Sequence, residues 1–123
     1  FPLTRATNPT AHQIAAGWEK RCAELGRFSA RHGGKQLLFV EVGYNENAKT
    51  AAEPWSFETG GENAAAIQER CIDAALSLTG KHPWLAGMFF WKWFPELPDE
   101  DEEDFRVQTP AIKALFAKHW RDK

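Results

Sequence analysis

Two kinds of apolar pattern alternate along the chain. Between residues 9 and 31, Ile14, Trp18, Cys22, Leu25 and Phe28 recur at three- and four-residue steps, while Glu19, Lys20, Glu24 and Arg27 face away from them. That spacing is helical. Asn8-Pro9 opens the segment as an N-cap residue type followed by Pro at the first helical position. His32-Gly33-Gly34 closes it by glycine C-cap logic. From Gln36 to Tyr44 the pattern becomes a continuous apolar run that ends on a carboxylate, Glu41. Strand alternation places Leu37, Phe39 and Glu41 on one face and Leu38, Val40 and Val42 on the other. Both faces are apolar up to Glu41, the pattern of a parallel strand covered by helices.

The same pair of patterns then repeats. A helix is expected from about Glu62 to Leu78, with Ile67, Cys71, Ala74, Ala75 and Leu78 as its stripe and Ile72 and Leu76 widening it. Trp84 to Trp91 is a second strand, apolar on both faces. Thr109-Pro110 starts a third helix with Ile112, Leu115, Phe116 and either His119 or Trp120 facing inward. Phe1-Pro2-Leu3-Thr4 reads as the tail of a further strand. The loop from Gly43 to Gly61 is long for a compact domain, and loops of that length are usually functional or mobile.

Strands alternating with helices predict an α/β chain with parallel strands and right-handed crossovers. The expectation is a single domain over residues 1–123 that forms part of a (β/α)8 barrel, from about the end of strand six to helix eight, with the helices outside. Two strands cannot close a barrel, and their apolar edges invite pairing. Either the strand at Phe1 is completed by preceding sequence, or another copy covers the edges. A chain that begins at Phe1 rather than Met fits a processed protein or a piece of a longer one.

Composition narrows the partners. The net charge of -2 gives no electrostatic reason to expect nucleic acid or an anionic membrane. No apolar run reaches the roughly 20 residues of a membrane span. Localisation stays open between secretion and the cytoplasm. Six Trp and nine Phe serve either an aromatic core or a platform for the C–H face of a sugar. Cys22 and Cys71 lie on predicted helices without metal-type spacing, as buried thiols or a disulfide between neighbouring helices. The acidic run from Glu96 to Asp104 reads as a solvated loop, with a cation site as the alternative, although its spacing matches no metal loop. No phosphate-binding glycine loop or Ser-His-Asp pattern is present, and no cofactor or metal is expected.

Glu41 is the first candidate for chemistry. Its position at the C-terminal end of a parallel strand is where barrel folds place catalytic groups. The alternative is a first loop residue that is simply solvated. Glu46 and Glu53, in the following loop, read as solvated charges. His12, His32, His82 and His119 fall on or beside helices, away from the strand ends.

One series of residues carries a resemblance. Phe1-Pro2-Leu3, Gly17-Trp18, Gly34 through Tyr44, Pro54-Trp55, Gln68, Trp84 through Trp93 and Thr109-Pro110-Ala111 together resemble the C-terminal portion of the TIM-barrel enzymes of glycoside hydrolase family 113, whose characterised members are mainly β-mannanases. The resemblance implies a retaining β-glycoside hydrolase acting on an oligo- or polysaccharide. Glu41 would be its nucleophile at the end of strand seven, and Trp91 the aromatic floor of the adjacent sugar subsite. Tyr44 would lie beside the nucleophile, with Trp55 and Trp93 as further substrate-binding aromatics. A retaining enzyme needs a second carboxylate as acid/base. In the resembled family it comes from the end of strand four, which this chain does not contain. The alternative expectation is a non-catalytic fragment that self-associates or binds carbohydrate, its partner being another copy or the remaining N-terminal part of the barrel.

Overall fold

A computed structural model describes residues 1–96 and 105–121. Five elements follow one another: α1 (Ala11–Arg31), β1 (Leu37–Val42), α2 (Ala64–Leu76), β2 (Leu85–Phe90) and α3 (Pro110–Trp120). The two strands pair in parallel, with α2 in the connection between them. The alternation read from the sequence is therefore the observed α/β arrangement. Residues 97–104, which hold most of the expected acidic loop, lie outside the described residues. Phe1 to Thr4 forms no strand among the described residues. It is tied instead to the loop after β1, where the Leu3 N–H donates to the Ala51 carbonyl at 2.7 Å.

The first helix begins two residues later than its Asn-Pro signal predicts. Thr10 is the cap: its hydroxyl accepts from the Gln13 N–H at 3.2 Å, and the Gln13 side chain accepts from the Thr10 N–H at 2.9 Å. This reciprocal box satisfies two N–H groups at the helix start, an advantage Asn8 cannot match. Asn8 adopts a left-handed backbone (φ 43°), and its side chain accepts from Arg70 of α2. At the other end Ser29 is buried, donating to the Lys35 carbonyl at 2.7 Å, while Phe28 lies 44% exposed. The stripe therefore turns from Phe28 to Ser29 where the chain must reach β1.

Helix α2 packs against both α1 and α3. Ile67, Cys71, Ile72, Ala75 and Leu76 are fully buried on it, as their spacing predicts. Each large apolar side chain buried here contributes about 1.5–3 kcal/mol. Cys22 and Cys71 are buried free thiols. Burial pushes the Cys71 thiol up to about 12. Helix α3 starts with Thr109, whose hydroxyl accepts from the Ile112 N–H, and with Pro110 in its first turn. Asp73 of α2 ties the two helices through His119 at 2.7 Å and Lys118 at 3.2 Å. Of the two residues expected to end the α3 stripe, His119 is the one turned inward, and Trp120 is 44% exposed.

Alternation holds from Leu37 to Val40 but breaks before Val42, which corrects the expected placing of Val42 with Leu38 and Val40. Phe39 stacks on Trp18 of α1 at 6.0 Å and, with Leu37, faces the helices. Leu38 and Val40 are 50% and 76% exposed on the open side of the sheet. Pairing shifts register between Phe39 and Val42, so Val40 and Glu41 are both exposed before Val42 returns to the core. A bulge of this kind puts two consecutive side chains on one side. A second shift in pairing leaves Ala86 without a partner between Leu85 and Gly87. Gly87, Phe89 and Trp91 then follow the open side, with Phe89 62% exposed. The sheet is thus covered by helices on one face only.

Candidate functional site

The ends of the two strands are brought close by Gly43. A Cβ there would meet the Phe105 ring at 3.1 Å and the Trp91 carbonyl oxygen at 3.2 Å, so any side chain would force these neighbours back by a few tenths of an ångström. Glu41 lies two residues before this point, exposed, at the mouth of a cleft of about 380 Å³. The cleft is walled by Phe1, Pro54, Trp55, Phe57, Trp91 and Phe105. Among the described residues that line it, Glu41 is the one carboxylate. Trp55, Phe57 and Trp91 are 63%, 74% and 45% exposed, so broad aromatic faces are turned to solvent beside that carboxylate. Phe57 meets Phe105 edge-on at 5.5 Å. The Trp91–Lys92 peptide bond is cis.

Buried amides hold these walls in place. Asn45 is 1% exposed. Its side-chain oxygen accepts from the Phe105 N–H at 2.8 Å and the Glu46 N–H at 3.0 Å, and its amide nitrogen donates to the Glu58 carbonyl at 3.1 Å. Asn47 donates to the same carbonyl at 2.9 Å. Gln68, buried on α2, donates to the carbonyls of Tyr44 and Arg106. The long loop and the segment at Phe105 carry few internal backbone ladders, so these side chains satisfy the backbone groups that regular structure leaves open.

The expected site residues separate into three places. Glu41, Trp55 and Trp91 line the cleft together. Tyr44 is 2% exposed and lies in the wall of a smaller cavity of about 280 Å³ that Glu41 also lines, together with Trp18 and Phe39. Burial first, and then the neighbouring Cys71, push the Tyr44 phenol well above its usual value, so it stays a neutral hydroxyl. Trp93 points elsewhere: it packs edge-on against Phe116 of α3 at 6.2 Å, beneath Lys113. Strict alternation would keep Trp93 on the face of Trp91, but β2 ends at Phe90 and the chain turns at Trp91 and Lys92, so the strand pattern does not continue to Trp93. His82 stacks on Trp84 at the start of β2, and His119 pairs with Asp73, so neither reaches the cleft. Phe57 and Phe105 are cleft residues that no sequence pattern singled out, and Phe1, read from sequence as the tail of a strand, joins them. Among the described residues, no group of three His, Cys, Asp or Glu is placed to hold a metal ion.

A carboxylate set among exposed aromatic faces offers a charged group for chemistry and flat apolar surfaces that fix an amphipathic ligand. Pyranose rings are ligands of that kind. The model of glycoside hydrolase family 113 matches residues 5–108, a stretch that takes in α1, both strands, α2 and most of the cleft. No curated protein and no solved structure matches the chain. Because the family match spans most of the sequence, the chain belongs to glycoside hydrolase family 113, a family of TIM-barrel, mannanase-type enzymes.

Proposed function

We propose that this chain is the C-terminal part of a retaining β-glycoside hydrolase of mannanase type, running from about the end of barrel strand six to helix eight, with Glu41 as its nucleophile. The observation that carries the reading is the place of Glu41, exposed at the C-terminal end of β1 in a cleft walled by Trp55 and Trp91. The Glu41 carboxylate attacks the anomeric carbon as the bond to the leaving oxygen breaks, and the electron pair leaves with that oxygen. Water then attacks the glycosyl ester, freeing the sugar and restoring the carboxylate. Trp91 and Trp55 stack on the sugar and hold it for in-line attack. Retaining hydrolysis of an ordinary glycan also needs a proton for the leaving oxygen, from a carboxyl about 5–5.5 Å from the nucleophile. In this proposal the chain carries the nucleophile but lacks that acid/base carboxylate, which comes from the end of barrel strand four.

Activated aryl glycosides isolate the role of Glu41, because a nitrophenolate departs without a proton. With 4-nitrophenyl or 2,4-dinitrophenyl β-mannoside, the expected result is slow release that Glu41→Gln lowers at least about a hundredfold, since the nucleophile is lost. Equal rates for parent and variant sink the nucleophile assignment.

The open side of the sheet favours a second reading. Leu38, Val40, Phe89 and Trp91 are all substantially exposed there. An uncovered apolar sheet face calls for a partner. In this reading the chain associates with itself or with the remainder of a barrel, and the cleft binds sugar without chemistry. Light scattering that finds a monodisperse monomer removes self-association. Trp fluorescence unchanged by manno-oligosaccharides counts against sugar binding.

A further inference from the structure

A second groove lies on the far side of Trp55. It has a volume of about 670 Å³ and its lining includes Arg5, Thr7, Lys49, Glu53 and Trp55. Trp55 belongs to both linings, so one indole forms the partition between this groove and the cleft that holds Glu41. The floor is made of small side chains, Ala48, Ala51 and Ala52. The groove is also firmly built. The Leu3 and Thr4 N–H groups both donate to the Ala51 carbonyl, at 2.7 and 3.3 Å, joining the segment that carries Arg5 to the loop that carries Lys49. The Ala52 and Glu53 N–H groups donate to the Lys49 carbonyl, each at 2.8 Å, closing a tight turn.

The charges on this frame are unequal. Arg5 and Lys49 supply two cations against the single carboxylate of Glu53. Neither cation takes part in an ion pair with a described residue, and Glu53 takes part in none either. A guanidinium and an ammonium lining one groove favour a carboxylate, and the guanidinium accommodates both of its oxygens. The exposed face of Trp55 provides the stacking surface that such a ligand shares with a sugar ring.

We propose that this groove binds a carboxylate-bearing sugar residue, a uronic acid, next to the sugar held in the Glu41 cleft. The proposal rests on the reading of that cleft as a saccharide site and specifies its substrate class: a glycan with an acidic residue, held by Arg5 and Lys49, adjoining the neutral one. The ring lies against Trp55, its carboxylate reaches the two cations, and Glu53 receives a ring hydroxyl.

Isothermal titration with two matched glycans tests this. One is mannotriose carrying a single glucuronic acid residue, prepared at either end, and the other carries glucose in its place. The expected result is about fivefold tighter binding of the acidic glycan at low salt, from two charge-assisted contacts at a solvent-open site. That preference shrinks as salt rises to about 0.5 M, and it vanishes in the Arg5→Gln/Lys49→Gln double variant, which binds both glycans equally. Equal affinities in the parent, or a preference that survives in the double variant, overturn the proposal while leaving the cleft reading intact. If neither glycan binds, the cleft reading falls and this proposal with it.

Discussion

Replacing Asn45 by Ala tests how the cleft is held together. The Asn45 side chain is a direct hydrogen-bonded link between the loop after β1 and the segment at Phe105, two of the cleft walls. Removing it strands the Phe105 N–H, whose bond to Asn45 Oδ1 is buried and 2.8 Å long. It also removes the 3.1 Å donor to the Glu58 carbonyl and the 3.0 Å acceptor for the Glu46 N–H. A buried polar group left without a partner costs about 1–3 kcal/mol, whereas a partly exposed one recovers most of its loss from water. Asn47 still donates to Glu58, which softens that part of the loss. The expected destabilisation is therefore about 2–4 kcal/mol, mostly from Phe105. Asn45→Asp keeps an acceptor for both N–H groups but sets a carboxylate oxygen against the Glu58 carbonyl and buries a charge, so it does not restore the parent's stability. Urea unfolding followed by Trp fluorescence gives the stabilities, and hydrogen exchange at the Phe105 amide gives the local effect. An alanine variant within about 0.5 kcal/mol of the parent, with the Phe105 amide exchanging no faster, refutes the reasoning.

Three other expectations follow from single contacts. Gly17→Ala improves helix propensity by about 1 kcal/mol, yet its Cβ would clash with the Leu3 carbonyl oxygen. The thermal midpoint is expected to fall, and a rise would show that the segment at Leu3 yields freely. Above pH 9 the protein loses stability, because the unfolded Cys71 thiol ionises near its ordinary value of 9.0 while the folded one waits until about 12. The unfolded state then binds fewer protons, giving a slope of up to about 1.4 kcal/mol per pH unit that Cys71→Ala reduces in alkaline urea titrations. Burial tends to raise the Asp73 carboxyl, but its hydrogen bonds with His119 and Lys118 outweigh that and hold it below 3.8. The stabilisation is present above the unfolded carboxyl's range and is lost as pH falls through the folded value. Because Asp73 and Lys118 are both more than a third exposed, it amounts to no more than about 1 kcal/mol, and acid unfolding curves of Asp73→Asn are expected to lack it.

The sequence alone determined what depends on local periodicity. The three helices, the two strands, the buried stripe of α2 and the position of Glu41 at a strand end all follow from which residue types recur at which step. The resemblance to family 113 rested on the same stretches, and the match over residues 5–108 bears it out. Periodicity says nothing of what one element meets on another. The register shift that leaves Val40 and Glu41 both exposed arises from pairing with β2, so alternation along β1 alone grouped Leu37 with Phe39 and Leu38 with Val40 correctly but misplaced Val42 relative to them. Capping was misplaced for a related reason: Asn8 has the right chemistry, but only Thr10 has Gln13 three residues on to complete the box. Loops carry no period at all. Only the folded chain brings Phe1, Phe57 and Phe105 beside Glu41, turns Trp93 toward α3, and closes both around amides such as Asn45 that look in sequence like ordinary loop residues. Those choices are made by steric fit at Gly43 and by the need of buried backbone groups for partners, and both exist only once distant segments meet.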